Sequence, residues 1–168
     1  MNKTIMGDFL LSSGPATEYA DKLMQYGQFV GSWDIDCTWF DSTGAQTQKK
    51  GEWHFGWILG GRGVQDVLFV KGAPPENYGT TLRCYDPSLD AWHIVWMQPY
   101  GREFVHLIGR KVGDRMINEG CGYNLTQLER WSFTEITASS FVWRGEISTD
   151  NGQTWILQQE MRAVRVSS

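Results

Sequence analysis

Two histidines and two glutamates in the middle of the chain have side chains suited to acid–base chemistry. His93 and His106 lie in adjacent predicted strands, with Glu103 and Glu119 close to them along the chain. An imidazole beside a carboxylate can exchange protons with a bound molecule near neutral pH. His93, His106 and Glu119 are therefore the catalytic candidates, although no His-x-His or carboxylate–His spacing singles them out. The alternative is that each histidine is a half-buried strand residue bonded to a neighbour.

A second group of residues could hold a ligand, because it combines one arginine with several aromatic rings. If "YDPSLDAW" (85–92) forms a hairpin with a four-residue loop, the pairs across it are Tyr85–Trp92, Arg83–Ile94 and Thr81–Trp96. One face of this hairpin then carries Arg83, Tyr85, Trp92, Trp96 and Gln98. The other face carries Leu82, Cys84, His93, Val95 and Met97. Both faces are largely apolar, so periodicity leaves open which of them points inward.

Strands must position these residues, since a period of two dominates the sequence after Gly27. Strands are predicted at 32–40, 52–58, 64–71, 80–85, 92–98, 103–110, 115–121, 128–135, 141–148 and 154–166. Segments rich in glycine, proline, aspartate and serine separate them, as turns require. One helix is predicted at 15–26, where Pro15 suits the first helical position and Gly27 offers a stop.

About ten strands joined mostly by short turns predict an all-β fold, an antiparallel meander in which sequence neighbours pair. Closure into an up-and-down β-barrel would remove its exposed edges, and the short N-terminal helix would close one end. A barrel of eight to ten strands has room for one small ligand. The alternative is a two-sheet sandwich, which usually needs longer Greek-key connections. We expect one domain over 1–168, with 1–13 flexible, the helix at 15–26 and the barrel at 30–166.

The segment "STDNGQTW" (148–155) resembles the Asp box repeated in sialidase-type β-propellers. A propeller needs at least four blades of four strands each, and 168 residues with one copy of the box cannot supply them. The box is therefore interpreted as a local turn. Asn151 and Gly152 can adopt the positive φ angles of a tight hairpin, Ser148 and Asp150 can bind turn amides, and Trp155 can pack beneath.

Composition excludes several classes of function. Fifteen Lys and Arg against nineteen Asp and Glu give a net charge of −4 without a basic run, which argues against a nucleic-acid partner. The isolated cysteines Cys37, Cys84 and Cys121 suggest neither a zinc site nor a disulfide framework. No apolar run is long enough for a signal peptide or membrane insertion. We therefore expect a cytoplasmic protein without metal.

Several segments together resemble a bacterial lipocalin-like family of unassigned function within the calycin superfamily. They are "GSW" (31–33), "LRCYDPSLDAWHIVW" (82–96), "GR" (109–110), "FVWRGEISTDNGQTW" (141–155) and "MRAVR" (161–165). The resemblance covers the chain from Phe29 onward and implies a barrel whose closed end is crossed by Trp33. Haem-binding nitrobindin-like barrels carry a proximal histidine late in the chain. Here the last histidine is His106, so no haem or other cofactor is expected.

The resemblance also implies a cavity, because fatty-acid-binding calycins hold a carboxylate with interior arginine and tyrosine. The implied ligand-binding residues are Arg83, Tyr85, Trp92, Trp96, Gln98 and Trp143. The alternative is that Arg83 lies on the outer surface over aromatic neighbours. Three functions stay open: binding of a small hydrophobic or aromatic molecule, with an acidic group as one option; a cofactor-free isomerase, dehydratase or cyclase in the same cavity; and a structural homodimer.

Overall fold

Alternating apolar and polar residues produce ten consecutive antiparallel strands. The computed structural model describes residues 5–122 and 126–167. Two short elements, α1 (Ile5–Leu10) and β1 (Leu11–Ser12), precede the helix α2 (Ala20–Gly27). The ten strands are β2 (Gly31–Phe40), β3 (Gln46–Ile58), β4 (Gly63–Val70), β5 (Gly79–Asp86), β6 (Ala91–Gln98), β7 (Glu103–Val112), β8 (Arg115–Cys121), β9 (Leu128–Thr134), β10 (Ser140–Ser148) and β11 (Ile156–Arg165).

The strands β2 to β11 close into a barrel. Each pairs with its sequence neighbours, and β11 returns to pair with β2, for example Met161 with Cys37. The short strand β1 adds to the end of β3 through Leu11 and Ile58. Turns between successive strands are short, so the chain has no means of crossing over and the meander closes on itself. The predicted calycin-like up-and-down barrel is confirmed, and the sandwich alternative is wrong.

The helix α2 closes one end of the barrel. Its Leu23 and Tyr26 are buried inside the rim, and Gly27 lies against the indole of Trp57, where a Cβ atom would come within 2.3 Å of the ring. The helix begins five residues later than the predicted 15–26, because Tyr19 takes a left-handed conformation (φ 60°) that a helix cannot continue through. Part of the segment predicted to be flexible, residues 1–4, lies outside the described residues, whereas 5–12 form α1 and β1.

The closed end holds a close-packed aromatic core beneath α2. Trp33 is fully buried there and donates its indole N–H to the Phe29 carbonyl oxygen at 2.7 Å. The guanidinium of Arg165 lies 4.0 Å from the centre of the Trp33 ring and donates to the carbonyl oxygens of Gln28 and Val30, both at 2.8 Å. These bonds satisfy the backbone where α2 leads into β2 and fix the helix on the barrel.

The hairpin between β10 and β11 contains the Asp-box segment, which is the predicted turn. Asn151 and Gly152 have φ angles of 57° and 83°. Asp150 accepts hydrogen bonds from the Thr154 amide (2.9 Å) and hydroxyl (2.6 Å), and from the Ser148 hydroxyl (2.7 Å). These bonds hold the pKa of Asp150 at about 2, below its usual 3.8.

We expect Asp150→Asn to lower the melting temperature near neutral pH. Because the folded pKa is depressed, the ionised carboxylate stabilises the fold above about pH 4, and this contribution disappears as the pH falls through about 2. Melting curves between pH 7 and pH 2 should therefore converge for the wild type and the variant at the acid end. Asp114→Asn, in the exposed turn between β7 and β8, is the matched control. A constant difference between wild type and Asp150→Asn across this range would contradict the assignment.

Candidate functional site

A cavity of about 320 Å³ opens at the end of the barrel opposite α2. It lies where β4, β6, β8 and β10 end and where β5, β7, β9 and β11 begin. Its floor contains Thr81 and Arg83, its walls are Trp53, Trp96, Trp131 and Trp143, and its mouth carries Gln127, Glu103 and Glu129. The barrel is therefore filled by side chains in its closed half and hollow in its open half.

Four tryptophans from four strands form the walls of the cavity. The Trp96 and Trp131 rings are perpendicular at 6.4 Å between centroids, and Trp131 and Trp143 are 5.9 Å apart at 57°. Trp53 meets Trp143 at 6.4 Å and 83°. Gly79 makes room for Trp96, since a Cβ atom at that position would lie 1.9 Å from the indole. Edge-to-face and tilted contacts of this kind are favourable between aromatic rings, and here the four rings also border the cavity.

Arg83 at the floor is already ion-paired. Its Nη1 lies 2.7 Å from Oδ2 of Asp66, and the two side chains are 3% and 0% exposed. The Thr81 amide donates to the other Asp66 oxygen at 2.8 Å. The guanidinium also lies 5.3 Å and 5.2 Å from the ring centres of Tyr26 and Phe55. Asp66 neutralises Arg83, so a ligand carboxylate would have to compete with an internal partner of the same kind.

The mouth of the cavity is acidic. Glu103 accepts a hydrogen bond from the Trp96 indole at 3.0 Å, and the side chains of Trp131 and Gln127 hydrogen-bond to Glu129. Burial raises the pKa of Glu129, and the nearby charge of Glu103 raises it further. In the described part of the chain, neither Lys nor Arg forms an ion pair with Glu103 or Glu129.

The structure brings together only part of the predicted ligand-binding set. The hairpin pairs are those expected, with Tyr85 opposite Trp92 and Thr81 opposite Trp96. Arg83, Trp96 and Trp143 line the cavity. Tyr85 and Trp92 share the inward face but lie at the closed end, where they donate to Asp90 (2.7 Å) and Gln25 (3.0 Å). Gln98 does not line the cavity either, because its amide is bonded to the Asn77 carbonyl and the Gly101 amide.

The predicted catalytic residues lie on the outer surface. His93 and His106 are 3.1 Å apart between ring nitrogens, and Asp86 lies 3.3 Å from the other His93 nitrogen. Glu119 pairs with Arg130 at 2.6 Å, also outside the barrel. They point outward because they fall on the face opposite Arg83 in the two-residue alternation. An acid–base reaction in the cavity would therefore have to use its glutamates, not these residues.

Sequence reasoning missed Trp131 and Glu129 as cavity residues. Both lie on the inward face of β9, whose alternation was visible in "LERWSF". Nothing in that strand alone indicates that it borders the same space as Trp96, since β6 and β9 are not neighbours in the sheet. In the described residues no group of three or more His, Cys, Asp or Glu is arranged to hold a metal ion, and neither helix is long and apolar enough to cross a membrane.

No protein-family model and no curated protein matches the sequence. Solved structures do match the fold. The crystal structure of Rv2717c from M. tuberculosis is similar with a TM-score of 0.61 and 14% identity, covering 88% of this chain and 99% of that one. The S-type phycobiliprotein lyase CPES from Guillardia theta is similar with a TM-score of 0.60 and 9% identity, over 92% and 99% of the two chains. At these identities the likeness establishes a shared calycin-like barrel fold.

Proposed function

We propose that this protein binds a small molecule with a flat, apolar body in the open half of its barrel. The observation that carries the proposal is the set of four indoles at steep mutual angles around a cavity of about 320 Å³. Protein interiors are normally close-packed, so an unfilled aromatic space within a packed barrel favours a ligand. Pockets for small ligands begin at roughly this volume and are lined mainly by apolar rings with a few polar groups.

A ligand with an acidic group is disfavoured, because Arg83, the residue that would bind this group, is already paired with Asp66. Membership in the bacterial lipocalin-like family and a cytoplasmic location are part of the proposal and are based on the sequence. The homodimer stays a prediction; it would use exposed apolar residues of the outer face such as Val95 and Phe104.

The test uses three probes of one shape: 1-methylnaphthalene (neutral), 1-methylquinolinium (cationic) and 1-naphthoate (anionic). We expect at least one of them to shift the indole N–H resonances of Trp53, Trp96, Trp131 and Trp143 in a ¹⁵N-labelled sample. Trp33, buried at the closed end, and Trp155, in the β10–β11 hairpin, should stay unchanged. If none of the probes shifts the cavity indoles, the proposed function is wrong.

A variant in which a larger side chain fills the cavity provides the matched control. Val105 lines the cavity on β7, and Val105→Trp should occupy the space and abolish the indole shifts. Overpacking costs about 1–3 kcal/mol, so the variant should remain folded, as its spectrum would show. Val95→Trp adds the same side chain to the exposed outer face of β6 and should bind like the wild type. Equal binding by Val105→Trp would place the ligand elsewhere.

A further inference from the structure

We propose that the ligand of this cavity is an organic cation, held by the tryptophan walls and by the glutamates at the mouth. The inference rests on the proposed function and specifies the chemical class of its ligand. It departs from the acidic or neutral ligand that the sequence suggests, and three features of the site support it: ring geometry, uncompensated charge and the floor of the cavity.

The ring geometry is that of an aromatic cage. Trp96 and Trp131 stand perpendicular, and Trp131 and Trp143 meet at 57°, so the indoles border one space from several directions. The face of an indole carries negative electrostatic potential, and cations within about 6 Å of the ring centre are attracted to it. A cation between several such rings gains from each of them, whereas a neutral ring of the same shape gains only the apolar contact.

The carboxylates at the mouth of the cavity have no cationic partner in the described residues. Glu103 and Glu129 line the cavity, and in this described part of the chain neither of them is ion-paired with Lys or Arg. Their hydrogen bonds from Trp96, Trp131 and Gln127 come from neutral donors, which orient the carboxylates without cancelling their charge. Carboxylates gathered at one half-buried opening repel each other and lack an internal counter-charge. A ligand cation would supply it.

The partly buried position of Glu129 extends the argument from charge. Desolvation and the neighbouring Glu103 raise the pKa of Glu129, because both make its ionised form less stable than it would be in water. A cation beside it would stabilise the ionised form and lower its pKa again. The other charged groups that face this space are Glu103 on β7 and Arg83 on β5, the latter neutralised by Asp66 on β4. Binding of a cation at mildly acidic pH should therefore release protons.

The floor of the cavity offers a hydrogen-bond donor to a ligand, and its ion pair has no net charge. Trp53 lines the cavity and is only 2% exposed. Its indole N–H has no hydrogen-bond partner in the described residues. A hydrogen-bond acceptor on the ligand would satisfy this donor. Asp66 neutralises the charge of Arg83, so the pair as a whole attracts an anion only weakly, although the Nε–H of Arg83 has no hydrogen-bond partner in the part of the chain that the structure describes. We therefore infer a flat cation that carries a hydrogen-bond acceptor at the end inserted first.

Isothermal titration of the same three probes tests the inference. We expect 1-methylquinolinium to bind at least about tenfold more tightly than 1-methylnaphthalene, which is the difference that cation–π attraction of roughly 1.4 kcal/mol provides. 1-Naphthoate should bind most weakly. At mildly acidic pH, the heat of 1-methylquinolinium binding should depend on the ionisation enthalpy of the buffer with the sign of proton release, whereas that of 1-methylnaphthalene should not.

Glutamine variants separate charge from shape. Glu103→Gln and Glu129→Gln should each weaken 1-methylquinolinium binding by about tenfold, as the loss of one nearby charge predicts, and change 1-methylnaphthalene binding by less than about twofold. Glu129→Gln should also abolish most of the proton release. Glu119→Gln, on the outer surface, is the control and should leave all affinities unchanged. Because the two variants lie on different strands, the test still gives an answer if one of them does not fold.

Each outcome decides the question. Equal affinity for the cation and the neutral probe, or no effect of either cavity glutamine variant, would overturn the inference and leave the proposed binding function standing. Tightest binding of 1-naphthoate would overturn it in favour of Arg83 as an anion site. Failure of all three probes would overturn the inference together with the proposed function.

Discussion

Arg83→Met is expected to destabilise the protein by about 3–5 kcal/mol, because it leaves the carboxylate of Asp66 buried without its counter-charge. The two side chains are 3% and 0% exposed, and Nη1 and Oδ2 are 2.7 Å apart. Both side chains are almost fully buried, so water does not solvate the Asp66 carboxylate in the folded protein. Asp66→Leu should have a similar effect by stranding the arginine. Urea unfolding followed by tryptophan fluorescence measures both.

The double variant Arg83→Met/Asp66→Leu makes the test specific to the ion pair. With both charges removed, no uncompensated group remains, so the double variant should lose much less than the sum of the two single losses. Lys50→Met, which breaks the exposed ion pair with Asp36, should change the free energy of unfolding very little. Additive losses in the double variant would show that Arg83 and Asp66 contribute through packing and not as a charge pair.

The sequence predicts the barrel well because its architecture follows from local patterns. Alternation assigns strands, short turns force neighbours to pair, and ten paired strands can close. The "YDPSLDAW" segment also fixes a register, since the number of loop residues decides that Tyr85 lies opposite Trp92. Only one face of such a hairpin can point inward, and the structure places Arg83 on that face.

Local sequence patterns do not indicate how far along the barrel axis a residue lies. Trp92 and Trp96 share one face of β6, but four residues of a strand span about 13 Å. Trp92 is therefore covered by α2, whereas Trp96 borders the open cavity. Which end the helix closes depends on contacts such as Gly27 against Trp57, far apart in sequence. For the same reason the hairpin alternation groups Tyr85 and Trp92 with Arg83 and gives no indication of Glu129 or Trp131.

Phe133→Ala is expected to cost about 3–5 kcal/mol of the free energy of unfolding, through lost apolar contact and the void left behind. Phe133 is fully buried at the junction between the packed and the hollow half of the barrel. Its ring centre lies 4.7 Å from that of Phe29, 5.5 Å from that of Phe141 and 5.7 Å from that of Trp53. The barrel backbone is tied by hydrogen bonds on both sides of β9, so it cannot collapse into the space.

Phe104→Ala provides the matched control for this loss. Phe104 is the same residue type in a strand of the same barrel, but it is 51% exposed on the outer face of β7. Its truncation should change the free energy of unfolding by less than about 0.5 kcal/mol. Phe133→Leu, which keeps most of the volume, should fall between the two. If Phe133→Ala were as mild as Phe104→Ala, the aromatic layer would not be close-packed, and the division of the barrel into a filled half and a binding half would fail with it.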